Sequence, residues 1–322
     1  MSASIKDVKG IGDKSLQKLA DHGITRLEDL AAADPSEVAK ILGVSVFKAK
    51  EMINEAKQLL LSTAIIVETA DEVEEFLRKN VKRISTGSKK LDEILGGGVP
   101  TMTTTALVGH AATGKTQLAF QLTANVIGSG EYAAFIETEP KVFSPERIRE
   151  ICAHRGLKYD PSKILVVRAD KIITPQQQLL AYEAVWKKVK DEKLNLRLLV
   201  VDSFSAKFRE YYAGRESMSA RSQEIARHMG ILQAMASQLN CAVVLTGQVM
   251  GVPDMGAQLE ARMRFGAPLR PYGGEFYLHS VCYLLFLEQV ASDIWEATVA
   301  DAPDMPRRSA RFKITEGGIE DV

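Results

Sequence analysis

The sequence predicts an α/β protein with a mainly parallel sheet covered by helices, preceded by a small all-α domain. Three observations point there. From Ile84 onward, short β-branched runs alternate with helical stretches. Residues 1 to about 60 carry only the spacing of short helices. The pattern GxxxxGK[ST] falls between one of the β-branched runs and the helical stretch after it.

At 322 residues the chain has room for one large and one small domain. Hydrophobic residues at 46% and charged residues at 25% are an ordinary globular balance, which excludes a disordered, collagen-like or disulfide-scaffold protein. Lysine plus arginine total 41, as do aspartate plus glutamate, so no global positive field advertises nucleic acid and any polyanion site must be local. Cys152, Cys241 and Cys282 are odd in number, far apart and set in apolar segments, which fits buried thiols in a reducing compartment better than a disulfide framework or a CxxC metal site. The N-terminal stretch lacks the apolar run of a signal peptide, and no segment approaches the ~20 apolar residues of a membrane span. A cytoplasmic protein with no membrane partner is expected.

In the first domain, residues 1–60, helices are expected over Ser15–His22, Arg26–Ala31, Pro35–Leu42 and Ser45–Leu60. Val8-Lys9-Gly10-Ile11-Gly12 fits a helix-hairpin-helix turn, and Ile41-Leu42-Gly43-Val44-Ser45 resembles it. Gly10 and Gly12 would let backbone amides approach a DNA phosphate at the positive end of the next helix; the same turn also serves protein-interaction domains. Residues 61–83 form a linker, first apolar (Ala64-Ile65-Ile66-Val67) and then densely charged from Asp71 to Lys82. Its Ile-Ile-Val stretch suits an internal edge strand or addition to a neighbour's sheet.

The third region, residues 84–322, begins the α/β pattern, with strands expected over Thr103–Val108, Ala133–Glu137, Ile164–Arg168, Arg197–Asp202 and Ala242–Thr246. Gly109-His110-Ala111-Ala112-Thr113-Gly114-Lys115-Thr116 follows the first of these and opens a helix over Gln117–Ile127. Its amides would cradle ATP phosphates, Lys115 would neutralise β- and γ-oxygens, and the Thr116 hydroxyl would ligate Mg²⁺. Leu198-Leu199-Val200-Val201-Asp202 is an apolar strand ending in a carboxylate, the arrangement in which Asp202 holds the same ion through water. Glu137 and Glu139 end the strand between them. They are two residues apart and so share a face, and alternation does not say which would polarise an attacking water. Gln248 ends a further strand with an amide suited to sensing a γ-phosphate.

Together with the helix-hairpin-helix segment, Ile84-Ser85-Thr86-Gly87-Ser88 through Leu95-Gly96-Gly97-Gly98 and Gly114-Lys115-Thr116-Gln117 resemble the archaeal RadA recombinases of the RecA superfamily. The resemblance runs almost end to end, through Thr138-Glu139, Phe143 to Ile148, Val201-Asp202-Ser203, Phe208-Arg209, Gly214-Arg215-Glu216, Gln248-Val249-Met250, Pro253-Asp254, Gly273-Gly274, Asp301-Ala302-Pro303 and Ile314 to Ile319. It implies a RecA-like ATPase core that polymerises on single-stranded DNA with ATP and Mg²⁺ and exchanges the strand into homologous duplex DNA. It further implies Glu139 as the catalytic carboxylate, Lys115 and Gln117 in the ATP site, Arg147 stacked on adenine, and Gln248 linking γ-phosphate to a DNA loop. The segment after Asp202 would be the first DNA loop, with Arg209, Arg215 and Arg221 facing the filament axis. Met250 to Gly274, with Arg262, Arg264 and Arg270, would be a second loop, mobile until DNA orders it. Asp301 and Pro303 would cap ATP bound on an adjacent copy, in a filament or a ring.

Several positions depart from that pattern. His110-Ala111-Ala112-Thr113 lacks the expected acidic-aromatic-glycine filling, although the phosphate-contacting positions remain. Pro140-Lys141-Val142 adds a residue beside Glu139 and predicts slow hydrolysis. Val67-Glu68-Thr69-Ala70 lacks the aromatic plug by which one copy grips the next, which predicts a weak interface. Glu275 follows Gly273-Gly274 where histidine is expected. Leu284 to Asp304 carries Glu288, Asp293, Glu296, Asp301 and Asp304 with no lysine or arginine, so it is expected to repel phosphate. These departures define a second reading, a RadA paralogue that binds ATP and a partner RadA-type recombinase and exchanges strands poorly. A third, a RecA-fold ATPase unrelated to filaments, is disfavoured by the helix-hairpin-helix domain and the paired loop motifs.

Overall fold

The computed structural model describes residues 4–63, 67–140, 142–212, 214, 218–252, 254–265 and 268–322; the side chains of 62, 63, 264, 275 and 276 lie outside that description. The chain divides into two compact units, Met1–Lys79 and Asn80–Val322.

The first unit opens with a one-turn 3-10 helix, Ile5–Asp7, and continues with α1 (Asp13–Ala20), α2 (Leu27–Ala32), α3 (Pro35–Leu42), α4 (Val46–Thr63) and α5 (Ala70–Asn80). Apolar residues three and four apart close a core of Leu19, Leu30, Val38, Ala49 and Met52. Asp34 starts α3 by accepting from the Ser36 and Glu37 amides with Pro35 at the first helical position, and Gly43, at φ 71°, ends it. The turn at residues 8–12 joins the 3-10 turn Ile5–Asp7 to α1. The charged stretch expected as linker is largely helical. Thr69 and Glu72 cap it reciprocally, Glu72 Oε2 accepting from the Thr69 amide at 2.7 Å. Residues 64–66 of the apolar linker stretch lie outside the described residues, and Val67 is exposed.

The second unit runs β1 (Arg83–Ile84), α6 (Lys89–Ile94), β2 (Val99–Pro100), β3 (Thr104–Val108), α7 (Lys115–Gly128), β4 (Tyr132–Glu137), α8 (Pro145–His154), β5 (Ile164–Val167), α9 (Pro175–Asp191) and β6 (Leu196–Asp202). It continues with α10 (Ala206–Tyr211), α11 (Met218–Leu239), β7 (Ala242–Gly247), β8 (Val249–Gly251), α12 (Met255–Phe265), β9 (Leu269–Pro271), α13 (Gly274–Ser280), β10 (Tyr283–Ala291), β11 (Ile294–Asp301), β12 (Ser309–Thr315) and β13 (Gly318–Asp321). Nine strands form one sheet in the order β13-β12-β11-β10-β3-β7-β6-β4-β5. Strands β10 through β5 in that order pair in parallel, and β11 to β13 add an antiparallel wing.

Burial on both faces explains the continuous apolar runs of the central strands. In β6, Leu198 and Val200 join the core on one face, while Leu199 and Val201 join that on the other. This α/β architecture is the one expected, with the antiparallel wing as the addition. The five expected strands are all present within a residue or two. The stretch expected as the second loop carries secondary structure among its described residues. Met250 to Gly274 is built as α12 over a two-stranded ribbon pairing Val249 with Pro271 and Gly251 with Leu269. Ala261 and Phe265 bury one side of α12, which anchors it.

All parallel strands point their carboxyl ends at one edge, where open α/β sheets bind ligands. Gly109, Thr138, Ser203 and Gln248 each follow one of these strands there. No described helix is long and apolar enough to cross a membrane.

Candidate active site

The loop after β3 is shaped by glycine. A Cβ on Gly109 would lie 2.2 Å from the Leu287 carbonyl oxygen, so only glycine lets the chain leave β3 this close to β10. Gly114, at φ 87°, turns the chain into α7, whose first amides then face the loop. Trp295 on β11 donates from its indole to the Ala112 carbonyl at 3.2 Å and stacks on Phe312, which fixes the loop from outside. Ala112, Thr113, Gly114, Lys115, Thr116, Gln117 and Ile314 line a cavity of about 210 Å³. Ala111 and His110 are exposed at its mouth.

Lys115 folds back on the loop, donating to the Gly109 carbonyl at 2.9 Å, to Thr113 Oγ1 at 3.1 Å and to the His110 carbonyl. Burial pulls its ammonium down to about 8, against the raising influence of Asp202 and Glu139. The Thr116 hydroxyl donates to Asp202 Oδ2 at 2.7 Å, and Thr246 donates to Oδ1. Burial raises the Asp202 carboxyl, while these hydroxyls and Lys115 oppose the rise. A threonine hydroxyl beside a buried carboxylate is a hard oxygen donor set of the kind Mg²⁺ takes, so the residues fit that ion.

Glu137 and Glu139 are separated by their partners. Glu137 is buried and accepts from three backbone amides, Val142 at 2.7 Å, Phe143 at 3.1 Å and Ala169 at 3.2 Å. It organises the turn after β4. Glu139, two residues further on, is partly exposed and faces Arg209 of α10, with Nη2 at 3.8 Å from Oε1. Arg209 Nη1 also donates to Gln248 Oε1, so residues following β4, β6 and β7 meet in one cluster.

Arg147 on α8 donates from Nε to Gln117 Oε1 at 2.9 Å and from its Nη atoms to Glu150, the Glu316 carbonyl and the Thr315 carbonyl. Its guanidinium plane is thus held rigid beside the nucleotide loop. Arg221 on α11 lies over the Tyr272 ring at 5.0 Å and donates to its hydroxyl at 3.1 Å. With Arg270, Met218 and Met250 it lines a cavity of about 460 Å³ between the two expected DNA loops. Arg262 is exposed on α12. Arg215 lies outside the described residues, as does the Arg264 side chain.

Asp301 and Pro303 are not brought to the nucleotide cavity. Leu284 pairs with both Ala106 and Asp301, and β11 runs opposite to β3, so Asp301 lies two residues, about 7 Å, back along the strands from Val108 at the root of the phosphate loop. The acidic segment is partly compensated, contrary to expectation. Glu296 sits opposite Arg311 in the β11–β12 register and pairs with it at 3.0 Å, while Asp304 accepts from the Tyr283 hydroxyl at 3.0 Å. Arg307, which belongs to no motif in the sequence, donates to the Met263 carbonyl of α12 at 2.6 Å and ties the segment after Asp301 to the second loop. Its partner lies 44 residues away, beyond any local pattern.

In the first unit, Gly10 has φ 88°, a left-handed conformation that favours glycine, and the nearest atom to a Cβ there is the flexible end of Met52, Cε at 2.9 Å. Gly12 precedes α1, and a Cβ on it would meet nothing within 4 Å.

Comparison with known proteins places both units in known families. A tandem helix-hairpin-helix family of the SAM-like type matches residues 3–58. The Rad51 family matches residues 77–322. The DNA repair and recombination protein RadA of Aeropyrum pernix is 35% identical over 324 aligned positions, covering 98% of this chain and 96% of that protein. With an ATP-type phosphate loop, a hydroxyl and carboxylate at its edge and this breadth of match, the chain belongs to the Rad51/RadA family of DNA-dependent ATPases.

Proposed function

We propose that this chain binds single-stranded DNA as an ATP-dependent assembly of its own copies and pairs it with homologous duplex DNA for strand exchange. The observation that carries the reading is the Glu139, Arg209 and Gln248 cluster, in which the nucleotide edge of the sheet and the first DNA loop share side chains. Bound ATP with Mg²⁺ supplies the phosphoanhydride and its charge neutralisation. Lys115 leaves its loop carbonyls for the phosphates, Thr116 and Asp202 hold the ion, and Arg147 fixes Gln117 at the base end of the site. Glu139 accepts the proton of an attacking water, whereas Glu137, saturated by amides, holds the turn that presents it.

Copies of the chain complete the site. Asp301 and Pro303 face away from their own phosphate loop, which suits a cap on the ATP of an adjacent copy. The edge strand β5, with exposed Val166, offers an unpaired edge to the Ile65-Ile66-Val67 stretch of a neighbour. Nucleotide bound between copies then stabilises the assembly, and hydrolysis lets it dissolve. The cytoplasm is the proposed location. Lys115, Thr116, Asp202, Glu139 and Gln248 serve both readings, and the near full-length similarity to a RadA recombination protein supports this one over the paralogue.

Strand exchange between a single strand and a homologous duplex, read by gel with electron microscopy of the same mixtures, tests the reading. Lys115→Ala is the control. Joint molecules and filaments that need ATP and vanish in the variant are expected; ATP binding with neither product overturns the proposal in favour of the paralogue.

A further inference from the structure

We infer that Arg209 is a positioning residue through which DNA controls hydrolysis: without DNA its guanidinium occupies Glu139 and Gln248, and a DNA phosphate that takes the guanidinium sets both free. The inference rests on the proposed role of Glu139. Its basis is the geometry of one side chain. Arg209 stands seven residues after Asp202 in the segment expected to meet DNA. From there it reaches across the sheet edge, Nη2 toward Glu139 Oε1 at 3.8 Å and Nη1 to Gln248 Oε1. The fork of one guanidinium thus spans both groups that handle the terminal phosphate.

The pair is built to be opened. The Arg209 side chain is 44% exposed and that of Glu139 is 32%, so the contact is screened by solvent and weak. A backbone phosphate offers the same fork two oxygens in a bidentate, charge-assisted geometry and competes successfully. Glu137 makes the contrast, because its three donors are backbone amides that no ligand displaces. Once Arg209 turns to DNA, Glu139 Oε1 is available to take a proton from water. As the water oxygen bonds to the γ-phosphorus, the bridging bond to the β-phosphate breaks and ADP leaves with that electron pair. The Gln248 amide is released in the same movement and can turn to the γ-phosphate.

Steady-state ATP hydrolysis by the full chain, with and without saturating single-stranded DNA, tests this in the wild type, Arg209→Ala, Arg209→Lys and Glu139→Gln. Arg209→Ala is expected to raise the DNA-free kcat about 2- to 5-fold, the amount a half-exposed ion pair can withhold, with KM for ATP unchanged. Its stimulation by DNA should fall toward unity. Lysine can face Glu139 but cannot span to Gln248, so Arg209→Lys should lie between. A DNA-free rate in Arg209→Ala at or below the wild-type rate, with wild-type stimulation intact, overturns the inference and leaves the site reading standing. Full turnover in Glu139→Gln, or a wild type indifferent to DNA, overturns the site reading itself.

Discussion

Glu137 and Glu139 lie two residues apart after the same strand, yet they inhabit opposite electrostatic worlds. Glu137 is buried, and three backbone amides from the following turn and from the end of β5 saturate it. Glu139 is partly open to solvent and is met by an arginine from another element. The difference separates a carboxylate that holds structure from one that does chemistry. The Glu137 carboxylate holds the backbone amides of the turn around it, and losing those acceptors would loosen that turn. The same contrast runs across the sheet edge. Lys115 is held by loop carbonyls, and Asp202 is buried under the Thr116 and Thr246 hydroxyls, whereas Arg209 and Gln248 meet through an exposed side-chain contact.

The sharpest break of the comparison outside the carboxylates is at the cradle's root. Gly109→Ala drives a methyl against the Leu287 carbonyl oxygen, where neither backbone can retreat, and about 1–3 kcal/mol of core-unit stability should be lost with nucleotide binding. Gly12→Ala, with open space around it, should leave thermal stability unchanged; equal melting temperatures for the two variants contradict the assigned packing.

Buried polar groups away from the sheet edge sharpen it further. His228 on α11 is fully buried against Tyr182 and Phe208, with Glu224 at 3.6 Å and Arg227 beside it in sequence. Burial is the main cause of its fall to about 3. The unfolded imidazole, near 6.5, binds protons first as pH falls, so stability is intact above about 6.5 and is lost progressively toward about 3. At pH 5 the loss is about 2 kcal/mol, and His228→Leu should remove that part of the difference between melting temperatures at pH 7.5 and pH 5. An unaltered difference contradicts it.

The smallest effect concerns Lys115. Its ammonium, held near 8 by burial, is neutral in the free protein at higher pH, so ATP binding there must take up a proton. Affinity should fall by at most about tenfold per pH unit above 8, read by titration calorimetry in buffers of different ionisation enthalpy. Binding without proton uptake at pH 9 contradicts the assignment.

Much of the nucleotide edge was legible in the sequence because its chemistry is written in the backbone. A strand, a glycine-bounded loop and a helix start fix where Lys115 and Thr116 go, and an apolar run ending in Asp202 fixes the carboxylate. What was not legible depends on partners far along the chain. Alternation could not divide Glu137 from Glu139, since the donors that decide are Val142, Phe143 and Ala169. Arg307 was illegible because it grips the distant Met263, and the helix within the second loop because α12 buries only Ala261 and Phe265 among its described apolar residues. The antiparallel wing did leave a signal, the alternation of polar and apolar residues across Ser309–Thr315 before the Gly317-Gly318 turn.

Glu137→Gln and Glu139→Gln, compared for ATP turnover with single-stranded DNA and for thermal unfolding, test the division of labour most directly. The account predicts that Glu139→Gln keeps its melting temperature and loses turnover by about 10²- to 10⁴-fold, while Glu137→Gln melts earlier. Turnover surviving in Glu139→Gln, with a folded Glu137→Gln inactive, would contradict it.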